Sequence, residues 1–341
     1  MNGRLFGIFL AASTLATVAM PSAEQWTGWR GAARTAISTA PVPGTLAAKA
    51  TDVWAVPVGI GHASPIVDGQ RVYVFARKGE QEVAQALDLG TGKTLWTAGY
   101  DQPYTMNSAA TSHGKGPKST PLLAGGRLYT LGISGVLSAF DAATGKVAWR
   151  HAFDKEFGPP PDFGTAASGA LLWSLPLVTP YDQNAVTPAI AGDLVILGGL
   201  DQATFAVRPA RAADGKWTAA RVWDAKSFPM YMSSPVVVED TVYGLTNRSK
   251  GQFFALDVKT GATRWTSPPR QGENASITVA GGRLWCLTSD GTLIVLKADP
   301  AAYAEVGRLD VAPSATWASP VLLGPQILVK DVDQLRLVRI G

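Results

Sequence analysis

Six residues that could share one ligand stand at matching places along the chain: His62, Lys118, Ala185, Met232, Asn274 and Trp317. Each lies two residues before a hydroxylic residue (Ser64, Thr120, Thr187, Ser234, Ser276 or Ser319), and all but Ser276 are followed by Pro. The hydroxylic column is uniform, which indicates a structural task such as hydrogen bonding to neighbouring backbone. The column before it differs in every unit and so is free of the repeat's demands. Imidazole, ammonium, amide and indole groups brought together would suit a planar, anionic ligand. His62, Lys118, Met232, Asn274 and Trp317 are therefore the ligand candidates, against the plainer alternative of an idle solvated rim.

Other familiar chemistry is thin. His62, His113 and His151 lack metal-ligand spacing. His113-Gly114-Lys115-Gly116-Pro117-Lys118 lacks the order of a phosphate loop and reads as a flexible basic loop. Asp331-Val332-Asp333 lacks the rest of a calcium loop. Cys286, the one cysteine, sits between Trp285 and Leu287 as a small buried hydrophobe, and no internal disulfide can form. Net charge is +4, from 30 Lys+Arg against 26 Asp+Glu. Without a run of basic residues, nucleic acid is not an expected partner.

The elements that would position these residues repeat along the chain. Each Ser/Thr-Pro pair opens a hairpin, as in 64–73, 120–129, 187–196, 234–243, 276–285 and 319–328. A third strand follows and ends at an Asp, with Gly four residues later and Trp eight later: Asp88, Gly92, Trp96; Asp141, Gly145, Trp149; Asp257, Gly261, Trp265. The Asp can accept N–H bonds across a tight turn, the Gly can take φ > 0, and the Trp can fill the gap between stacked sheets. Four strands in each of six units predict an all-β, six-bladed β-propeller of antiparallel blades. The sixth unit runs out of chain before its Trp strand, so a strand holding Trp54 is expected to close the ring.

Two units depart from the pattern. In the third the turn survives as Asp214-Gly215-Lys216 with Trp223 displaced; in the fifth Lys297 replaces Asp and Glu305 replaces Trp. Both outer edges are expected to be looser. An insertion over 154–183 could be functional or a packed decoration. Residues 1–23 have the layout of a secretory signal peptide, with Arg4 before an apolar run, and the apolar stretch is short for a membrane span. A 24–51 arm and a 52–341 propeller follow, in the periplasm or secreted.

The copies at 86–96, 139–149 and 255–265 resemble the PQQ-like repeats of the quinoprotein dehydrogenase-like β-propellers, over about residues 52–341. Trp29-Arg30-Gly31 with Arg34 resembles the opening of secreted bacterial members. Within that family the dehydrogenases bind pyrroloquinoline quinone (PQQ) and calcium and use an Asp base. Other members, similar to the outer-membrane assembly lipoprotein, keep the scaffold and bind proteins. This chain resembles the second group. The dehydrogenases are longer, eight-bladed and carry a vicinal Cys-Cys disulfide that a single Cys excludes, and no Glu and Asn suit calcium. The resemblance thus implies an exported, non-catalytic scaffold without cofactor, binding an envelope protein or a small molecule. PQQ and calcium belong to the alternative, a dehydrogenase-like oxidoreductase acting at the channel mouth. Asp88, Asp141 and Asp257 belong to the repeated turn and not to catalysis.

Overall fold

The computed structural model describes residues 25–106, 108–153, 173–180 and 184–341. The expected signal peptide lies outside the described residues, as does most of the 154–183 insertion. The described strands form six four-stranded antiparallel sheets, as a six-bladed propeller requires. Blades 1 to 5 occupy 66–101, 122–152, 189–225, 236–266 and 275–310, each built from consecutive strands. Blade 6 takes three strands from 321–339, and Thr51–Pro57 pairs antiparallel with Gln334–Arg339, placing Trp54 opposite Leu337. The ring is closed as expected.

The second and third strands of a blade are apolar on both faces because each face meets a different neighbour. Along Arg71–Lys78, Val72 and Val74 pack with Leu328, Leu335 and Leu337 of blade 6, while Tyr73 and Phe75 pack with Leu128 and Phe140 of blade 2. A strand's two-residue period sends alternate side chains to opposite sides.

The repeated turn joins blades at the rim. Asp88 Oδ1 accepts the Thr91 N–H (2.9 Å) and the Thr91 hydroxyl (2.6 Å), and the Gly92 N–H closes on the Asp88 carbonyl (2.8 Å). Asp141 and Asp257 build the same turn with Thr144 and Thr260. Gly92, Gly145 and Gly261 hold φ of +69°, +75° and +69°. There is a second reason for glycine here. The indole of the preceding blade lies on it, so that a Cβ at Gly92, Gly145 or Gly261 would come within 2.7 Å of Trp54, Trp96 or Trp223. Each indole N–H also donates to the neighbouring turn: Trp54 to Leu89 O, Trp96 to Ala142 O, Trp223 to Val258 O and Trp265 to Asp299 O.

This corrects two expectations. Trp223 is not on a loose edge: it pairs with Ala206 as Trp96 pairs with Ala86, because a longer hairpin over 202–225 projects beyond the register that matters. In blade 5 the residue at the Trp register is Gly307, opposite Val295, and not Glu305. The gap there is filled from elsewhere, since Leu46 of the N-terminal arm approaches to 3.1 Å of where a Gly307 Cβ would stand. Arg283 anchors the arm through the carbonyls of Pro43 (2.8 Å) and Gly44 (2.7 Å). Trp149 keeps the register, opposite Ala139, but in blade 3 Arg208, bonded to Asp193 (2.6 Å), stands where the turn Asp stands in the other blades, and the Asp214-Gly215 turn lies further along the hairpin. It is 43% exposed and leans on Tyr129. Among the described residues the buried clusters fill the other five junctions and not that between blades 2 and 3.

Trp265→Ala is expected to cost about 3–5 kcal/mol in urea unfolding, the range for removing a packed aromatic. Trp149→Ala is expected to cost under about 1 kcal/mol, as for exposed positions.

Candidate functional site

The hydroxylic column sits where the innermost strands begin and staples neighbouring blades. The Ser64 N–H donates to Thr120 Oγ1 (3.1 Å), the Thr187 N–H to Ser234 Oγ (2.9 Å) and the Ser319 N–H to Ser64 Oγ (2.8 Å), while the Ser276 and Ser319 hydroxyls bond each other (2.6 Å). Four of the six junctions are thus tied near the axis, which explains the uniformity of the column.

The variable column divides into two groups joined by Trp317. On one side His62 stacks on Trp317 with ring centroids 5.4 Å apart, and His113 sits edge-on to both at 5.7 and 5.2 Å. Lys118 Nζ donates to the carbonyls of His113 and Gly114. Lys330, almost fully buried, donates to the carbonyls of Gly61 and Asp331. On the other side Met232 and Asn274 line the channel with Trp317, and the Asn274 Oδ1 accepts the Met232 N–H (3.2 Å).

His113 and Lys330 join the expected candidates here. A lysine ending the apolar strand Gln326–Lys330 reads in sequence as a solvated strand end, and nothing in the chain announces the turn that buries it. The 113–118 segment is a packed loop and not a flexible one. Pro117 O receives the N–H groups of His62 and Ala63, and the buried Arg77 donates to Lys115 O (3.0 Å).

Burial sets the electrostatics of this mouth. Desolvation first, then Lys118, His113 and Lys330, lower the His62 pKa to about 2. Desolvation followed by Lys118 lowers His113 as well. Lys118 is lowered to about 8 by burial and by Lys330, and Lys330 to about 8 by burial, against the pull of Asp331 and Asp333. At neutral pH the mouth presents neutral imidazoles beside ammonium groups.

The chain's own N-terminal arm runs along the inner strands of the ring. Trp26 exchanges both backbone bonds with Val67 of blade 1, and Thr27 O accepts the Leu123 N–H of blade 2. The Trp29 indole donates to Thr187 Oγ1 of blade 3 (3.0 Å) and Arg30 to Pro235 O of blade 4 (2.7 Å). Ser38 then bonds to Val279 O of blade 5 (2.8 Å). Trp29-Arg30-Gly31, noted in sequence only for its resemblance, is the centre of this run. Beside it lies a cavity of about 40 Å³ lined by Trp29, Arg30, Met232, Asn274 and Trp317 among others. Among the described residues no three His, Cys, Asp or Glu side chains come together as a metal site.

A histidine kept neutral by the fold, but protonated in the unfolded chain below about pH 6.5, contributes stability that is present above that pH. It is lost as pH falls from there toward 2. His62→Phe, which keeps a flat ring against Trp317, is expected to flatten the loss of urea-unfolding stability between about pH 6.5 and 4.5. An unchanged slope would show that His62 titrates normally.

The sequence matches the PQQ_2 family, described as outer membrane protein assembly factor BamB, over residues 79–243 and 166–320. A protein of Yersinia pestis named outer membrane protein assembly factor BamB is 26% identical over 277 residues, covering 73% of this chain and 68% of that protein. Among solved structures, BamB from Moraxella catarrhalis covers 89% of this chain and 96% of its own, at 14% identity and a TM-score of 0.42. Quinohemoprotein alcohol dehydrogenase ADHIIG from Pseudomonas putida HK5 covers 93% of this chain and 80% of its own, at 13% identity and a TM-score of 0.43.

Proposed function

The chain belongs to the PQQ_2 family, and from that premise we propose that it is an exported, non-catalytic β-propeller scaffold that holds a protein partner in the cell envelope. The name of its Yersinia pestis relative points to outer membrane assembly as the process served. The observation that carries this reading is the arm inside the ring: Trp26 to Ser38 bonds in turn to the innermost strands or their leading residues in blades 1 to 5, beside a cavity of about 40 Å³. Binding then falls to the faces and rims of a rigid ring, where preformed loops lose little freedom on association.

The half-buried mouth of His62, His113, Lys118 and Trp317 is the docking surface we assign. Half-buried rings beside the Lys118 ammonium group suit an acidic, aromatic-bearing loop of a partner. Among the described residues no helix is long and apolar enough to cross a membrane, so attachment through a partner is compatible with the fold. The alternative reading is a PQQ-dependent oxidoreductase at the same mouth.

Tagged protein applied to a detergent extract of the envelope is expected to retain outer-membrane assembly components. The His62→Ala/Lys118→Ala double variant is expected to retain them at least about tenfold less well, equivalent to roughly 1.4 kcal/mol. Equal retention by the double variant would remove the mouth from the interface. Saturable uptake of PQQ with calcium, accompanied by dye-linked alcohol oxidation, would overturn the scaffold reading itself.

A further inference from the structure

The arm carries a buried charge that no acidic group among the described residues neutralises. Arg30 is 5% exposed, and its Nη2 donates only to neutral carbonyls, those of Pro235 (2.7 Å) and Thr35 (3.2 Å). Its Nε has no hydrogen-bond partner. Burial lowers its pKa to about 10 with no acidic group acting in the other direction, yet at neutral pH the guanidinium is still charged. Buried cations in proteins are ordinarily paired, because removal from water penalises the charged form.

The cavity that Arg30 lines also offers several donors and no carboxylate. None of its lining residues is acidic. Asn274 already uses its Oδ1 to accept the Met232 N–H, which leaves the two amide protons to donate. Ser234 Oγ accepts the Thr187 N–H and keeps its own proton. Ser276 and Ser319 share one bond between their hydroxyls, so one proton of that pair is uncommitted. A guanidinium, a carboxamide and two hydroxyl protons therefore surround about 40 Å³, room for a few waters or for one small ion.

We propose that this axial cavity is a binding site for a single inorganic anion of halide size, with Arg30 as its counter-charge and Asn274, Ser234 and the Ser276/Ser319 pair as its donors. Bound there, the anion ties the arm that carries Arg30 to the innermost edges of blades 4, 5 and 6. The site is independent of any partner. Its ligand stabilises the closed ring by mass action, since the unfolded chain has no such site.

The test is thermal melting of the full chain in buffers of constant ionic strength in which gluconate, too large for the cavity, is replaced stepwise by chloride. The melting temperature is expected to rise along a saturable curve, by on the order of a few degrees at a hundredfold excess over Kd. The chloride-35 NMR line is expected to broaden in the presence of the protein. Arg30→Lys keeps the charge but loses the planar fork, and is expected to raise the half-saturating chloride concentration about tenfold. Should that variant fail to fold, Ser276→Ala, which leaves the arm intact, is expected to raise it by a smaller factor. Superimposable melting curves in chloride and gluconate, or wild-type half-saturation in the folded variants, would mean that the cavity holds water alone and would overturn the proposal.

Discussion

A sheet that is apolar on both faces needs two neighbours, and a ring gives them to every sheet without leaving an end. The buried runs of Arg71–Lys78 and Gln81–Asp88 have this two-sided character: Val72, Val74 and Leu87 belong to one inter-blade cluster, and Tyr73, Phe75, Ala84 and Ala86 to another. Everything else in the structure serves the fit between blades. At the rim an indole crosses to the next blade, lies on a glycine with positive φ and donates to the turn that the glycine completes. Near the axis hydroxyl groups hand hydrogen bonds from blade to blade.

Where the repeats fall short, the segment before them compensates. Leu46 stands at the vacant Trp register of Gly307, Thr51–Pro57 supplies the fourth strand of the last blade, and Trp26 to Ser38 bonds in turn to the innermost strands or their leading residues in blades 1 to 5. Arm and ring are in this sense one unit. The contrast is the junction of blades 2 and 3, where the turn of the longer hairpin is displaced and Trp149 stays exposed. That junction is also where the chain inserts 154–183 between consecutive blades.

Much of the architecture was legible in the chain because it is written in repeated spacings. The Asp, Gly and Trp of 88–96, 141–149 and 257–265 announced the turn, and the missing last strand announced the closure by Trp54. Single substitutions inside the repeats were read less well. Glu305 was expected at the Trp register because the longer turn of blade 5, closed by the Lys297 N–H on the Ala304 carbonyl, leaves no mark in residue types, and the register is set by pairing with Val295. Trp223 was expected to be loose because spacing along the chain was taken for position in the sheet, whereas a longer hairpin brings it back to Ala206. The variable column marked the mouth, but it could not show that Trp317 divides it, that His113 and Lys330 join it, or that the arm runs along the inner strands. Those are contacts between segments far apart in sequence, and an Ala/Pro/Thr-rich arm without periodicity carries no signal of where it packs.

With its own arm bonded along the inner strands, the molecule offers partners a stiff ring and a basic, aromatic mouth, and the whole account turns on the arm being an integral part of the core. Hydrogen–deuterium exchange of the amides of Trp26, Ala36 and Ser38, which donate to Val67, Arg30 and Val279 carbonyls, measures this directly. If the arm is part of the ring, these amides exchange as slowly as those of Arg71–Lys78 and Ala275–Ala280. Exchange at the rate of exposed loops would show a loose cover over an open channel, and would contradict it.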